Sequence, residues 1–170
     1  MKAVKVLGLA VMFGFMVSGI SLASDLKIAY VDLSKVFDSY QKTKDFDDAL
    51  QVEGKAFQSD LEGRIQKIKD AQDKLNLMKD SEKQSLQDDI EKQRNDAVSF
   101  EKEKRVELAK KRDGELHDIL TEIQKVASDI AKKEGYNYVL NNSVSVVIYG
   151  DTQFNITDEV LKTLNDSYKK

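Results

Sequence analysis

Apolar residues recur through most of the chain from residue 44 to residue 134 with gaps that are mostly three, four or seven, and this periodicity constrains the fold most strongly. Such spacing is typical of one face of an α-helix. The 170 residues include no proline, which would interrupt a helix interior. The periodic positions are Phe46, Leu50, Phe57, Leu61, Ile65, Ile68, Leu75 and Met78, followed by Leu86, Ile90, Ala97, Phe100, Leu108, Leu116, Ile119, Ile123, Val126 and Ile130.

The periodicity predicts two long helices with a break at residues 79–81. Ser81 and Gln84 fit a capping box that begins the second helix, and Thr43 is predicted to cap the first. Gly135 is predicted to end the second helix in the left-handed C-cap conformation. The result is an antiparallel helical hairpin with arms of ~55 Å and ~80 Å. The extra length of the second arm can pack against a short helix predicted near residue 36, or extend the base of the hairpin.

The second arm ends in the most regular part of the pattern, a coiled-coil seam formed by Leu116, Ile119, Ile123, Val126 and Ile130. Three glycines, Gly54, Gly63 and Gly114, lie inside the predicted helices, where each costs ~1 kcal/mol relative to alanine. Three explanations remain open for these glycines: sequence drift on a solvated rod, close packing between the helices, and arms that bend.

The first 23 residues have the pattern of a secretory signal peptide. Lys2 and Lys5 precede an apolar run at residues 6–17, and small residues follow at Ser21 and Ala23. The pattern predicts that residues 1–23 are removed after export. The alternative is an uncleaved membrane anchor, but the run is shorter than the ~20 apolar residues that span a bilayer.

The two ends of the mature chain are predicted to contain β-structure. The run from Lys27 to Val31 is strand-like, and Asp32 or Ser34 can cap a short helix after it. Residues 136–141 and 144–149 are also strand-like, with a turn at Asn141–Asn142. Thr157 is predicted to cap a final helix.

We therefore predict an α+β fold, mostly α with a small β body from which the hairpin projects. Residues 24–43 and 135–170 form this body, and residues 44–134 form the hairpin. The strands carry apolar residues on both faces, so the body needs a second partner beside its own helices. With no cysteine for disulfides, another copy of the chain is the simplest partner. Candidate residues of the oligomer body are Ile28, Tyr30, Val31, Val139, Val146 and Ile148.

We find no pattern that predicts catalysis, a cofactor or a metal site. His117 is the one histidine, and the absence of cysteine leaves no zinc cluster. The acidic pairs Asp47–Asp48 and Asp88–Asp89 are adjacent on helices, so their side chains diverge and fit a solvated face. An enzyme is not expected.

The charges also argue against a nucleic-acid partner. Both signs interleave, the formal net charge is −3, and there is no basic face. Residues 102–112 are rich in Lys and Arg, but pairing within the helix is expected, as in Glu101 with Arg105 and Glu107 with Lys111. Contact of this stretch with a membrane lipid surface is the alternative.

Four stretches in this order resemble the OmpH/Skp family of periplasmic chaperones. They are the signal with residues 27–32 and 34–37, the charged hairpin, residues 136–141 with 144–149, and residues 155–162. The wording Ile-Thr-Asp followed by Val-Leu-Lys in the last stretch is the most specific match. The resemblance covers essentially all of the mature chain.

The resemblance implies a homotrimer in which three subunits share a small β-barrel-like body and three hairpin tentacles enclose a cavity. It also implies ATP-independent holding of unfolded outer-membrane β-barrel proteins in transit through the periplasm, which prevents their aggregation. A structural coiled-coil spacer or scaffold of the cell envelope is the alternative function, since it would share the periodicity and the export signal.

One departure from the family concerns charge. Its best-known members are strongly basic, whereas this sequence has a pI of about 5.3. The resemblance therefore does not extend to lipopolysaccharide-binding residues, and short-range apolar contacts are expected to matter more. The candidate client contacts are Phe57, Leu61, Met78, Leu86 and Phe100. The alternative for each is burial between the helices of the hairpin itself.

Overall fold

The computed structural model describes residues 26–143 and 147–168, so the predicted signal peptide lies outside the described residues. The fold is mostly helical with one small sheet, which agrees with the predicted mostly α class. In chain order the elements are β1 (Ile28–Val31), α1 (Leu33–Ser39), α2 (Gln41–Leu77), α3 (Asp80–Glu134), β2 (Tyr138–Asn141), a short 3-10 helix (Thr152–Phe154) and α4 (Thr157–Ser167).

The helices α2 and α3 form the predicted antiparallel hairpin, with 37 and 55 residues. Two of the predicted caps are wrong. Helix α2 begins at Gln41, before Thr43, because the chain bends at Tyr40; Thr43 is instead buried within the helix. Helix α3 begins at Asp80, and neither N-cap residue, Tyr40 or Lys79, caps its helix with its own side chain. The Gln41 N–H at the start of α2 donates instead to the side chain of Asn165 in α4 at 2.9 Å.

Other local predictions are confirmed. The Asp32 side chain caps α1 by accepting a hydrogen bond from the Lys35 N–H at 2.9 Å. Gly135 ends α3 in the left-handed conformation, with φ of 74°.

The predicted cap at Thr157 is wrong by one position, since Thr157 is the first residue of α4 and Ile156 precedes it without a side-chain bond.

The sheet consists of β1 and β2, which pair in parallel with Ile28 opposite Tyr138. On the other side of β1, Asn155 forms a single bridge with Tyr30, and the Ile156 N–H donates to the Tyr30 carbonyl at 3.0 Å. In the described part of the chain this sheet is open, so a barrel-like body is not confirmed.

The predicted second strand at residues 144–149 is wrong in the part that can be described. Residues 147–149 are irregular, and residues 144–146 lie outside the described ranges. After β2 the chain turns back: the Asn142 N–H donates to the Val31 carbonyl, and the Asn142 side chain accepts from the Val147 N–H at 3.0 Å. The Val147 N–H is thus bonded to a side chain of the turn instead of to the backbone of a neighbouring strand.

The core combines both ends of the chain with the last turns of α3. Ala29 and Val31 of β1 face inward, and α3 extends beyond the hairpin to cover them and α1. The extra length of the second arm thus packs against the short helix near Val36, one of the two outcomes expected. The core residues are Ala29, Val31, Val36, Tyr40, Ile119, Ile123, Ala127, Ile130, Ile156, Val160 and Leu164.

The hairpin glycines are not explained by close packing, because a Cβ at Gly54, Gly63 or Gly114 would meet no atom within 4 Å. Replacing any one of them with alanine should therefore raise the free energy of unfolding by about 1 kcal/mol through helix propensity alone. Urea denaturation followed by circular dichroism would measure the gain.

The matched control for these substitutions is Gly135→Ala. Gly135 has a positive φ, and an alanine in that conformation is strained by about 1–2 kcal/mol. The same assay should therefore show a loss of stability. Destabilisation by the three hairpin substitutions would contradict the open space seen around them.

Candidate functional site

The base of the hairpin is fixed to the body by a polar cluster around Tyr40, which bends the chain between α1 and α2. The Tyr40 ring is fully buried and lies edge-on to Tyr168, with ring centroids 5.8 Å apart. Its hydroxyl donates to Glu122 of α3 at 3.1 Å. Lys42 donates to the other Glu122 oxygen at 3.1 Å and lies 3.6 Å from Glu115. These contacts hold α2 and α3 together at the base of the hairpin.

The cluster also changes the acidity of its members. Burial, reinforced by Glu122, raises the pKa of the Tyr40 phenol above its ordinary value. Burial opposes the charge of Lys42, but the hydrogen bond and negative charge of Glu122 outweigh it and raise the pKa of the amine. Both groups therefore remain hydrogen-bond donors at neutral pH.

We expect Tyr40→Phe to lower the free energy of unfolding by about 1 kcal/mol, since it removes one hydrogen bond and leaves the ring in place. Because the folded-state pKa is raised, the wild-type advantage should be fully present below about pH 10, decline above it as the unfolded phenol ionises, and be lost as the pH rises through the raised folded-state pKa. Urea denaturation at several pH values measures this. Tyr149→Phe is the control, because Tyr149 is 86% exposed, and an equal loss there would contradict the account.

The middle of the hairpin holds three of the five candidate client contacts. The Phe57 and Phe100 rings contact each other across the arms, with centroids 5.8 Å apart, and the Arg64 guanidinium lies 4.1 Å from the Phe100 centroid. Leu61 is buried next to them. The packing of these side chains against the opposite arm corresponds to the alternative kept open for them, and a role as client contacts remains a prediction.

The other two candidates lie nearer the turn and are half-buried. Met78 ends α2. Leu86 lines a groove between the arms that has a volume of about 810 Å³ and is otherwise mostly polar. The neighbouring Leu77 lies off the periodic face and is 88% exposed.

Several exposed apolar side chains on the arms are missing from the sequence prediction. They are single side chains surrounded by charged residues, and all but Ile65 lie off the predicted apolar face. For the four that lie off this face, the signal in the sequence is an apolar residue at a position where the periodicity predicts a polar one. They are Val52, Ile65, Leu77, Val98 and Val106.

Three of the six basic residues in the charged stretch at residues 102–112 form described ion pairs: Lys104, Arg105 and Lys111. Arg105 lies 2.8 Å from Glu101, as predicted. The predicted pair of Glu107 with Lys111 is wrong: Glu107 pairs with Lys104 at 2.7 Å, and Lys111 reaches across to Glu53 of α2. One ion pair therefore ties the two arms together here.

The candidate oligomer residues occupy three different settings. Val31 is in the core of the chain itself, and Val139 is half-buried against it. Ile28 faces outward and is partly exposed, and the Tyr30 hydroxyl donates to the Gly150 carbonyl at 3.3 Å. Ile148 is 99% exposed. Val146 lies outside the described residues.

The remaining features concern metal binding, the polar candidate residues and membrane-spanning helices. Among residues 26–143 and 147–168 no group of His, Asp and Glu is arranged to hold a metal ion. His117 and both acidic pairs are exposed on helices. The same described ranges contain no helix that is both long and apolar enough to cross a membrane.

Comparison with known proteins finds relatives of this chain. The pattern of the OmpH family, described as outer membrane protein (OmpH-like), matches residues 27–164. A chaperone protein Skp of Yersinia enterocolitica is 30% identical over 144 residues, covering 80% of this chain and 84% of the relative. A chaperone protein Skp of Pectobacterium atrosepticum is 29% identical over 147 residues, with the same coverage.

The fold is shared with a solved structure as well. The crystal structure of an OmpH-like protein from Caulobacter crescentus CB15 superposes with a TM-score of 0.76, although only 13% of residues are identical. It covers 85% of this chain and 87% of its own. The family pattern, the relatives and the shared fold agree, and the chain belongs to the OmpH family.

Proposed function

We propose that this protein is an ATP-independent holdase chaperone of the periplasm that binds unfolded outer-membrane proteins in transit and prevents their aggregation. Family membership and the relatives named chaperone support the proposal. No ATP site or catalytic group is needed for this activity, which depends on binding alone.

The observation that carries the proposal is the surface of the arms. Single apolar side chains such as Leu77, Val98 and Val106 are exposed along a charged hairpin tens of ångströms long. Each apolar contact contributes little by itself, but an unfolded polypeptide can touch many of them at once. Weak multiple contacts also let the client leave without an energy source.

We further propose that the working form is a homotrimer assembled through the body. Among the described residues no strand pairs with the outer edge of β2, and Tyr138 and Leu140 on this strand are exposed. Ile148 projects from the neighbouring segment. An open strand edge with exposed apolar residues is an association surface. Three open sheets brought together would form the barrel-like body that a single chain lacks.

The proposed organisation keeps the sequence boundaries. Residues 1–23 are a cleaved signal peptide, residues 24–43 with 135–170 are the trimer body, and residues 44–134 are the tentacle. The packing of Ile119 and Ile123 into the core means that the last turns of α3 would serve both parts. Three arms rising from one body would surround a client.

The test is an aggregation assay on the purified mature protein. A β-barrel membrane protein is diluted from urea without ATP, and light scattering is followed with and without an excess of the chaperone. The chaperone is expected to suppress scattering. The double variant Val98→Ser with Val106→Ser should suppress it less, whereas Lys102→Ser with Lys110→Ser should suppress it as the wild type does. Equal scattering with and without the protein would sink the proposal and favour the structural spacer.

A further inference from the structure

The described hydrogen bonds, ion pairs and ring contacts between the two arms lie in one part of the hairpin. From the base upward they are Lys42 with Glu115 and Glu122, then Glu53 with Lys111, then Phe57 and Arg64 with Phe100. We refer to Phe57, Arg64 and Phe100 as the clamp. The clamp is the last of these contacts before the turn.

Beyond the clamp lies the part that we define as the tip segment, residues 66–92. All its described hydrogen bonds and ion pairs between side chains join residues of one helix, as in Gln66 with Asp70 and Gln84 with Asp88. Of its residues only Ile90 is buried. The arms between the base and the clamp, residues 44–56 and 101–114, contain no buried residue either. The tip segment differs from them in having no described ion pair or ring contact between the arms.

Open grooves also lie between the arms here. One of about 810 Å³ runs beside Ala71 and Leu86 of the tip segment and extends past the clamp to Gly63 and Asp96. A second of about 360 Å³ runs beside Leu75 and Ile90, and the two have no lining residue in common. Side chains that line these grooves face solvent on that side instead of a packed partner. Regions with few buried contacts are those that open locally at low free-energy cost.

We propose that the tip segment opens by separation of its two helices while the base of the hairpin stays closed, with the clamp as the boundary between them. The aromatic contact and the cation over the Phe100 ring hold the arms together at that level, where Leu61 and Ala97 are also buried. The opening is a property of the protein alone.

Opening has a consequence for binding. It uncovers the inward sides of Ile68, Leu75 and Ile90 and so adds apolar surface next to the exposed Leu77. An unfolded polypeptide would select the open form and shift the population toward it. This consequence rests on the proposed function, whereas the opening itself does not.

Paired nitroxide labels test the opening directly, because the chain has no cysteine that would interfere. Lys69→Cys with Asp89→Cys reports on the tip segment, and Asp48→Cys with Lys110→Cys reports on the base. All four side chains are exposed. Labelled protein is diluted with an excess of unlabelled protein, so that each measured distance lies within one hairpin.

We expect a broader distance distribution for the tip pair than for the base pair, without any client present. Phe100→Leu should broaden the tip pair further, because the boundary would move down to the Glu53–Lys111 ion pair, while the neighbouring Val98→Leu should leave the tip pair unchanged; circular dichroism confirms that both variants keep their helices. Equal widths for the two pairs, or a tip pair unaffected by Phe100→Leu, would overturn the proposal. Neither result would bear on the aggregation assay.

Discussion

Replacing Ile123 with alanine is expected to lower the free energy of unfolding by about 2–5 kcal/mol. Ile123 is 0% exposed and belongs to the core that joins α3 to both ends of the chain. Alanine would lose buried apolar surface and leave a cavity that the surrounding helices can fill only in part. Urea denaturation followed by circular dichroism measures the loss.

The matched control is Leu116→Ala on the same predicted seam. Leu116 is 40% exposed, and substitutions at such positions change stability by about 0.5 kcal/mol. The sequence pattern treats the two residues alike, whereas the structure separates them. Similar losses for both variants would contradict the observed end of the core between them.

The second large effect concerns assembly. Lysines in place of Tyr138 and Leu140 should convert the proposed trimer to monomers, because the change places charge on the exposed edge strand of the body. Sedimentation equilibrium would report a threefold fall in molar mass. The wild-type reference must itself sediment as a trimer.

The control for the assembly experiment is the pair Val98→Lys and Val106→Lys. Both residues are exposed on α3 away from the sheet, so the molar mass should stay that of a trimer. A wild-type monomer, or a trimer that survives lysines on β2, would show that the body does not assemble through this strand.

Local features of the fold could be predicted from sequence because their causes are local. The three-to-four spacing determines which face of α2 and α3 is apolar, and Gly135 alone allows the left-handed end of α3. The caps at Thr43 and Ser81 failed, because the bend at Tyr40 and the turn at Met78–Lys79 place the helix starts elsewhere. A capping side chain can stabilise a helix only at the position where the fold makes that helix begin.

The partners of each face depend on the whole fold and could not be predicted in this way. The seam of α3 continues from the hairpin into the body without a change of period, so nothing in its spacing indicates where its partner changes from α2 to the core. The β-branched run near residue 148 has strand composition, but a strand also needs a backbone partner, and the Val147 N–H bonds to the Asn142 side chain instead.

The candidate site shows the same division. Phe57, Leu61 and Phe100 were correctly placed on the apolar face, and that face packs against the other arm. The exposed Val98 and Val106 were missed because they interrupt the pattern instead of following it. Their exposure follows from their position off the face that packs against the other arm.

The central claim is that the arms hold unfolded clients, and site-specific photo-crosslinking tests it most directly. A photoreactive amino acid is placed at Leu77 or Val98 on the arm, or at the exposed Lys162 on α4 of the body. The protein is then irradiated with an unfolded β-barrel membrane protein. We predict crosslinks from both arm positions and little or none from Lys162. Crosslinks from Lys162 with none from the arm would contradict the account.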